Sequence, residues 1–455
     1  MINLQALDME TLFGCLVAII VFMGTSILYL KKKERERKEL SITDPDGNVV
    51  DSQAEEEEEE SNSKNGKKKS FRNDFKKKLG TYEHPWIVTT LKGHLGYVTY
   101  VDFSQDGKKF VSVSTDSSIL IWKPSDFHQK EHKVIRQPLE FDTATKVVCS
   151  PDSKSIVCSV KRDNKLVVFK LARKDDGSSV RIVKADVDFP KSHQLDISAL
   201  GISSTGKFLM TASTDMKINL YNIRGEVLKV IEPKVSSLFD CCISPDGRFV
   251  AIAGFTPDVF VFEPKFDREG RFVDCKKAFD LKGHNSGVYG VAFNQDSSRA
   301  ATVSRDGHWR VFDTNIRYAQ GQDASILRKG YWAPLKGSSP DNVRIAFSPS
   351  GLSVAVSSGS DIKFFSAEDE NKDFPEMKEV HTTNVAVLRF SPCGKYLASC
   401  GDKYVRIFKN AAEPFSLASK LKKNIGEASG DAQRRRIQEQ IDQAEEEAET
   451  LEIRA

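Results

Sequence analysis

Between residues 86 and 409 the apolar residues come in short runs, alternating or contiguous, and rich in Val, Ile, Phe and Tyr. Period-two alternation with β-branched and aromatic enrichment predicts strands rather than helices. The segments that interrupt the runs, such as SQDG, SPDG, STG and SPCG, are turn formers. Strand, turn, strand, polar turn, strand describes an antiparallel meander.

The meander repeats. A marker residue falls at Ser104, Ser150, Ser203, Ser244, Asn294, Ser348 and Ser391, at intervals of 46, 53, 41, 50, 54 and 43 residues. In four copies a histidine stands ten residues ahead of the marker: His94, His193, His284 and His381. One such sheet cannot bury both of its faces, so neighbouring copies must stack. Seven sheets of about four strands each predict an all-β fold, a seven-bladed β-propeller over 86–409. The last copy ends at Phe408 with no fourth strand after it, whereas Trp86–Leu91 is a strand lying before the first copy. The N-terminal strand is therefore expected to complete the seventh blade and remove the open edges.

These residues resemble the WD-repeat family, whose signature is Gly-His near the start of a repeat and Trp-Asp near its end. Gly93-His94 and Gly283-His284 match the first element, Trp122 matches the second, and Phe312-Asp313 matches it with Phe for Trp. The resemblance implies a WD40-type propeller braced by a polar chain in each blade. That chain is expected to be His94, Ser114, Asp116 and Trp122 in the first blade, and His193, Ser213, Asp215 and Tyr221 in the third. His284, Ser304 and Asp306 form the fifth-blade set, where Phe312 cannot donate a hydrogen bond. His381 and Asp402 remain in the last blade, with Cys400 in place of Ser. His, Ser and Asp together also describe a hydrolase triad. One active site does not need several copies, so a buried network that satisfies its own donors and acceptors is the better reading.

Outside the repeats the chain changes character. Residues 12–30, LFGCLVAIIVFMGTSILYL, carry no charge and are long enough to span a bilayer core. Asp8 and Glu10 stand in front and Lys31-Lys32-Lys33 behind, which suits a permanent anchor rather than a cleaved signal peptide. The basic flank places the C-terminal side in the cytosol and leaves residues 1–11 in the lumen. The absence of any Asn-X-Ser/Thr acceptor agrees, as do eight cysteines with no disulfide or zinc spacing. The short span suits the thin membrane of the endoplasmic reticulum. Residues 31–85 hold an acidic block, Glu55–Glu60, and lysine triplets with few apolar positions, which predicts a disordered linker. Its lysines suit anionic lipid or RNA, although a solvated tether asks nothing more of them.

Residues 410–455 read as a helical, coiled-coil-like tail. Ile437, Ile441, Ala444, Ala448 and Leu451 form a short apolar seam, expected to dock on a partner helix or on the propeller, or to self-associate weakly. A basic face is also expected. Lys161, Arg162, Lys165, Lys217, Arg305, His308 and Lys403 lie near the turns that follow the second strands of blades two, three, five and seven. Clustered Arg and Lys suit phosphate groups and acidic motifs.

No phosphate loop, nucleophile elbow or metal-ligand spacing occurs, so neither catalysis, nor a cofactor, nor a metal is expected. The order of anchor, linker, divergent propeller and tail, with GFTPDV at 254–259 and AFDLKGH at 278–284, resembles a membrane-anchored branch of the WD-repeat family. That resemblance implies an adaptor at the reticulum membrane whose cytosolic propeller binds the phosphorylated kinase domain of the reticulum stress kinase, with a link to RNA and translation. Two other readings stand beside it. One is an exchange factor for a coat GTPase, whose WD-repeat family carries its anchor after the propeller. The other is an RNA-binding module.

Overall fold

The computed structural model describes residues 82–140, 142–173, 180–426 and 430–452. The expected lumenal N-terminus, the anchor and all but the last four residues of the linker lie outside the described residues. No described helix is long and apolar enough to cross a membrane.

Strands are numbered β1 to β27 in chain order. They form seven antiparallel sheets, six of four strands and one of three. The first blade is β2 (Val98–Phe103), β3 (Phe110–Ser114), β4 (Ser118–Trp122) and β5 (Val134–Pro138). The innermost strands of the other blades are β6 (Ala144–Cys149), β10 (Ile197–Ile202), β14 (Leu238–Ile243), β18 (Val288–Phe293), β22 (Val343–Phe347) and β25 (Val387–Phe390). Each innermost strand neighbours the next, and β25 returns to β2, so the sheets close into a ring. Burial follows from this stacking. β3 and β4 are buried at every position because neighbouring blades cover both faces. β5, on the rim, alternates exposed and half-buried residues.

The recurring marker residue is the key of a turn. Ser104 Oγ donates to Asp106 (2.6 Å) and accepts the Lys109 N–H (2.9 Å), while the Gly107 N–H donates to the Ser104 carbonyl (2.9 Å). Gly107 takes a left-handed φ of 66°, which glycine adopts without a Cβ penalty. Where the sequence offers Ser instead, at Ser153 and Ser297, the turn keeps φ of 55° and 59° and the residue bears the strain.

Ring closure joins the two ends of the repeat region. β1 (Ile87–Lys92) pairs with β27 (Tyr404–Lys409), outside β26 (Tyr396–Cys400) and β25. Within the expected linker, Tyr82 and His84 pack on this blade, while Glu83 and Pro85 are exposed. The Tyr82 ring stands 6.2 Å from Phe408 and the His84 ring 5.0 Å from Trp86.

The sixth blade departs from the expected four strands. It holds β22, β23 (Ser353–Ser358) and β24 (Asp361–Ser366), and residues 371–378 contribute only two isolated bridges, Phe365↔Asp373 and Ile362↔Met377. That segment is polar and contains Pro375, which has no N–H for a ladder. The tail supplies the missing cover. Helix α1 (Ala412–Ile425) lies against β23 and β24, and helix α2 (Asp431–Glu452) packs on α1. Phe415 meets Phe374 at 5.5 Å, Ser416 Oγ donates to Ser366 Oγ (2.8 Å), and the Trp86 indole N–H reaches the Leu451 carbonyl (3.3 Å). Ile441, Ala444, Ala448 and Leu451 are buried in this packing and Ile437 is half-buried, so most of the seam is spent within the chain.

Candidate functional site

The polar chains hold the face where the loops entering each blade meet the turns after the second strands. In blade one, Trp122 Nε1–H donates to Ser112 Oγ (2.9 Å) and Ser112 lies 2.8 Å from His94 Nε2. The Asp116 carboxylate, 3.1 Å from Nδ1, can only accept, so the ring proton sits on Nδ1 and Nε2 accepts the Ser112 hydroxyl proton. Asp116 also accepts the Leu95 N–H (2.8 Å) and the Ser118 hydroxyl (2.6 Å), which ties the entering loop to the turn. Gly93 is required here, because a Cβ would lie 2.8 Å from the Trp122 ring.

The hydroxyl in each chain differs from the one expected from sequence. It is Ser112 rather than Ser114, Thr211 rather than Ser213, Thr302 rather than Ser304, and Ser399 rather than Cys400. In blades one, three and five the two candidates stand two apart and share a strand face, whereas Cys400 follows Ser399 directly and points to the opposite face. Only the cross-strand position of the histidine ring selects between them. Ser114 Oγ accepts the Asp116 N–H, Ser213 Oγ donates to the Leu195 carbonyl, and Ser304 Oγ donates to the Gly287 carbonyl. In blade three Tyr221 OH stands 3.3 Å from Thr211 Oγ1, and Asp215 meets His193 Nδ1 at 3.2 Å.

Blades five and seven, where Phe312 and Phe408 cannot donate, add a residue that sequence reading missed. Arg310 and Arg406 stand two positions before those aromatics. Arg310 Nη1 donates to Asp306 Oδ2 (3.2 Å), and Arg406 Nη1 to both oxygens of Asp402 (3.0 Å each). Asp306 and Asp402 also meet His284 and His381 at 3.0 and 3.1 Å. The corresponding residues in blades one and three are Leu120 and Asn219. A basic residue paired with a non-donating aromatic was the available signal.

The hydroxyls of Ser112, Thr211, Thr302 and Ser399 belong to residues of 0% exposure, so none can reach a substrate as a nucleophile. Among the described residues no group of His, Cys, Asp or Glu is placed to hold a metal ion.

Burial lowers the pKa of all four histidines below the ordinary 6.5, outweighing the opposing pull of their aspartates. Burial alone would raise Asp116 and Asp402. Hydrogen bonds from Ser118 and Leu95 to Asp116, and from His381 to Asp402 with the Arg406 charge, outweigh it and hold both carboxyls at about 2. Each group therefore takes up a proton less readily when folded than when unfolded. Their stabilisation is complete above pH 6.5, declines as the unfolded histidines gain protons below it, and falls again from pH 3.8 toward 2. A melting temperature that drops steadily from pH 7 to pH 4 is expected, and a flat profile would contradict this account.

The expected basic residues occupy this same face. Lys161, Arg162 and Lys165 sit where β7 (Ser155–Val160) turns into β8 (Lys165–Arg173), and Lys217 between β11 (Leu209–Ser213) and β12 (Ile218–Tyr221). Arg305 lies between β19 (Arg299–Ser304) and β20 (His308–Asp313), His308 begins β20, and Lys403 lies between β26 and β27. Three of the seven are engaged. Lys165 pairs with Asp188 (3.4 Å), Lys217 with Glu232 (3.6 Å), and the His308 ring lies 5.2 Å from Tyr331 at a tilt of 59°. Lys161, Arg162, Arg305 and Lys403 are exposed, and their side chains make no ion pair among the described residues. Exposed Leu95, Leu195 and Phe255 lie in loops and turns of the same face.

The family described as WD domain, G-beta repeat matches residues 86–123, 187–222, 275–313 and 376–409. These segments cover the blades that carry the histidine chains. Transducin beta-like protein 2 of Homo sapiens is 36% identical over 370 residues, covering 81% of this chain and 82% of that protein. The protein of the same name from Mus musculus is 36% identical over 393 residues, covering 85% and 88%. The chain belongs to the transducin beta-like protein 2 family. A more distant similarity, 26% over 277 residues, links it to the guanine nucleotide-binding protein subunit beta of Solanum tuberosum, covering 59% of this chain and 68% of that protein. In this member of the transducin beta-like protein 2 family, GFTPDV forms the second-to-third-strand turn of blade four. There Thr256 Oγ1 donates to the Asp258 carbonyl (2.8 Å), the Phe255 N–H donates to the Ser237 carbonyl (2.9 Å), and Phe255 is left half-exposed. The family thus presents a WD-repeat scaffold suited to protein interaction.

Proposed function

We propose that the chain is a non-catalytic adaptor at the endoplasmic reticulum membrane. Residues 12–30 anchor it, and the propeller faces the cytosol and binds an acidic or phosphorylated protein segment. The reading rests on one observation, that Lys161, Arg162, Arg305 and Lys403, which make no ion pair among the described residues, are set on one face beside exposed apolar side chains. Cations without a carboxylate partner supply charge-assisted hydrogen bonds to phosphate, and the neighbouring Leu95, Leu195 and Phe255 supply apolar contact. By family resemblance the partner is the phosphorylated cytoplasmic domain of the reticulum stress kinase, with RNA or translation machinery as an associated cargo. The polar chains serve this role by fixing the loops that carry the face.

Charge reversal at three positions, Lys161→Glu, Arg162→Glu and Arg305→Glu together, is expected to abolish partner capture from detergent extracts. Phosphatase treatment of the extract should do the same to the unaltered protein. Undiminished capture by the triple variant would end this proposal.

A further inference from the structure

The seven innermost strands enclose a central channel with a cavity of about 350 Å3. Its charged lining comes from five blades: Asp102 from β2, Lys146 from β6, Asp240 from β14, Arg344 from β22 and Arg389 from β25. Three cations face two carboxylates, and the carboxylates are already occupied. Asp102 Oδ2 accepts the Cys149 N–H (2.9 Å), and Asp240 accepts the N–H groups of Cys241 (2.9 Å) and Val291 (3.2 Å). Asp102 comes no nearer to Arg389 than 4.0 Å.

The cations, in contrast, keep unspent donors. Lys146 Nζ makes no hydrogen bond among the described residues and sits 4.8 Å from the Tyr100 ring centre. Arg389 donates to Tyr100 OH through Nη2 (2.7 Å) and turns its Nε toward Asp102, which leaves Nη1 without a hydrogen bond among the described residues. Arg344 commits Nε to the Ala386 carbonyl (2.9 Å) and Nη1 to the carbonyls of Pro340 and Val343 (2.8 and 2.7 Å), which leaves Nη2. A half-buried channel whose lining offers more unspent donors than acceptors favours an anion over a neutral solute. Its size and its partly accessible walls admit a small solute.

We propose that the central channel is a binding site for a small phosphate-bearing anion, held by Lys146, Arg344 and Arg389. Phosphate oxygens accept the unspent donors, and the anion offsets the excess of positive charge. The site lies inside the ring rather than on the face assigned above to the protein partner, so the two stand or fall separately. Free inorganic phosphate and a phosphorylated metabolite share this chemistry.

Burial and the neighbouring Arg344 and Arg389 draw the Lys146 ammonium down to about 8, against the opposing pull of Asp240. Tyr100, Asp102 and Cys400 complete its surroundings. Affinity for an anion is therefore expected to weaken as pH rises through 8.

The test is calorimetry and thermal unfolding of the full chain in detergent micelles. Inorganic phosphate, pyrophosphate and inositol hexakisphosphate are compared with chloride at matched ionic strength, between pH 6.5 and 9. Saturable stabilisation by at least one phosphate compound is expected. Inorganic phosphate acting as well as the larger two would mark free phosphate as the ligand, and a preference for either larger compound would mark an organic or condensed phosphate. Lys146→Gln, which removes no hydrogen bond within the fold, is expected to weaken binding by about tenfold or more and to remove its pH dependence. Lys146→Arg should retain binding. Stabilisation no greater than chloride gives, or an unchanged affinity in Lys146→Gln, would overturn the proposal.

Discussion

Truncation after Lys409 is expected to cost roughly 5 kcal/mol or more of stability and to leave a propeller that opens at blades six and seven. The tail helices are the cover of an incomplete sheet. Leu451, Ala411 and Ala412 belong to the same buried cluster as Trp86, Phe364, Phe374 and Phe408, with Phe415 packed against it. Each large apolar side chain returned to water costs about 1.5–3 kcal/mol, and removing the tail exposes residues on both sides of the contact. Thermal unfolding and limited proteolysis of the full and truncated chains check this. A truncated chain with the melting temperature and protease resistance of the full one would show that α1 and α2 are ornamental. The single change Leu451→Asp should reproduce a large part of the loss, since it buries a carboxylate beside Trp86 and Phe374.

The second large effect belongs to Asp402. Its carboxylate is the counter-charge of Arg406, a side chain only 2% exposed, and it also holds His381. Asp402→Ala leaves a buried guanidinium without a partner, a change that typically costs about 3–5 kcal/mol. Asp116→Ala in blade one provides the contrast. The position of Arg406 is taken in blade one by Leu120. The cation that Asp116 does meet, Arg136 at 3.9 Å, is 42% exposed, and burial lowers the His94 pKa below 6.5, so no buried charge is stranded. The loss there is expected to be nearer ~1–3 kcal/mol, that of an unmade hydrogen bond to a charged group. Equal losses from chemical denaturation of the two variants would mean that Arg406 finds another partner. The double change Asp402→Leu with Arg406→Leu should be milder than Asp402→Ala alone, because both charges leave together.

The parts of this architecture legible in sequence are those with a strict offset. Seven marker residues count seven blades because the turn needs Ser or Asn at one fixed place, as Ser104 shows. The strand before the first repeat implied closure on the last, and β1 lies beside β27. The histidine and aspartate of each polar chain were readable for the same reason, since both occupy loops of nearly constant length. The hydroxyl was not. Ser112 and Ser114 are both buried, both polar and both on one face of β3, and only the reach of His94 across the sheet separates them. Arg310 and Arg406 left one signal, their place two positions before a non-donating aromatic, but an arginine in a strand ordinarily reads as solvent-facing, so the burial of the head was not legible. Of the basic face, the placement at the turns was legible from topology. Which members are neutralised was not, because Asp188 and Glu232 lie in other segments of the chain. The tail's apolar seam was plain, but its partner depended on a strand that the sixth blade lacks.

The closing strand has a cost during synthesis. Ile87 pairs with Phe408, at the far end of the repeat region, so the earliest strand to leave the ribosome must wait for the last. At about 5–20 residues per second the delay is of the order of half a minute. Throughout it the ring gapes at one seam, and the free edge of β1 can zip onto the wrong neighbour or be held by a chaperone. Newborn chains, more than finished ones, are the population in which sequence changes near Ile87–Lys92 would first be felt.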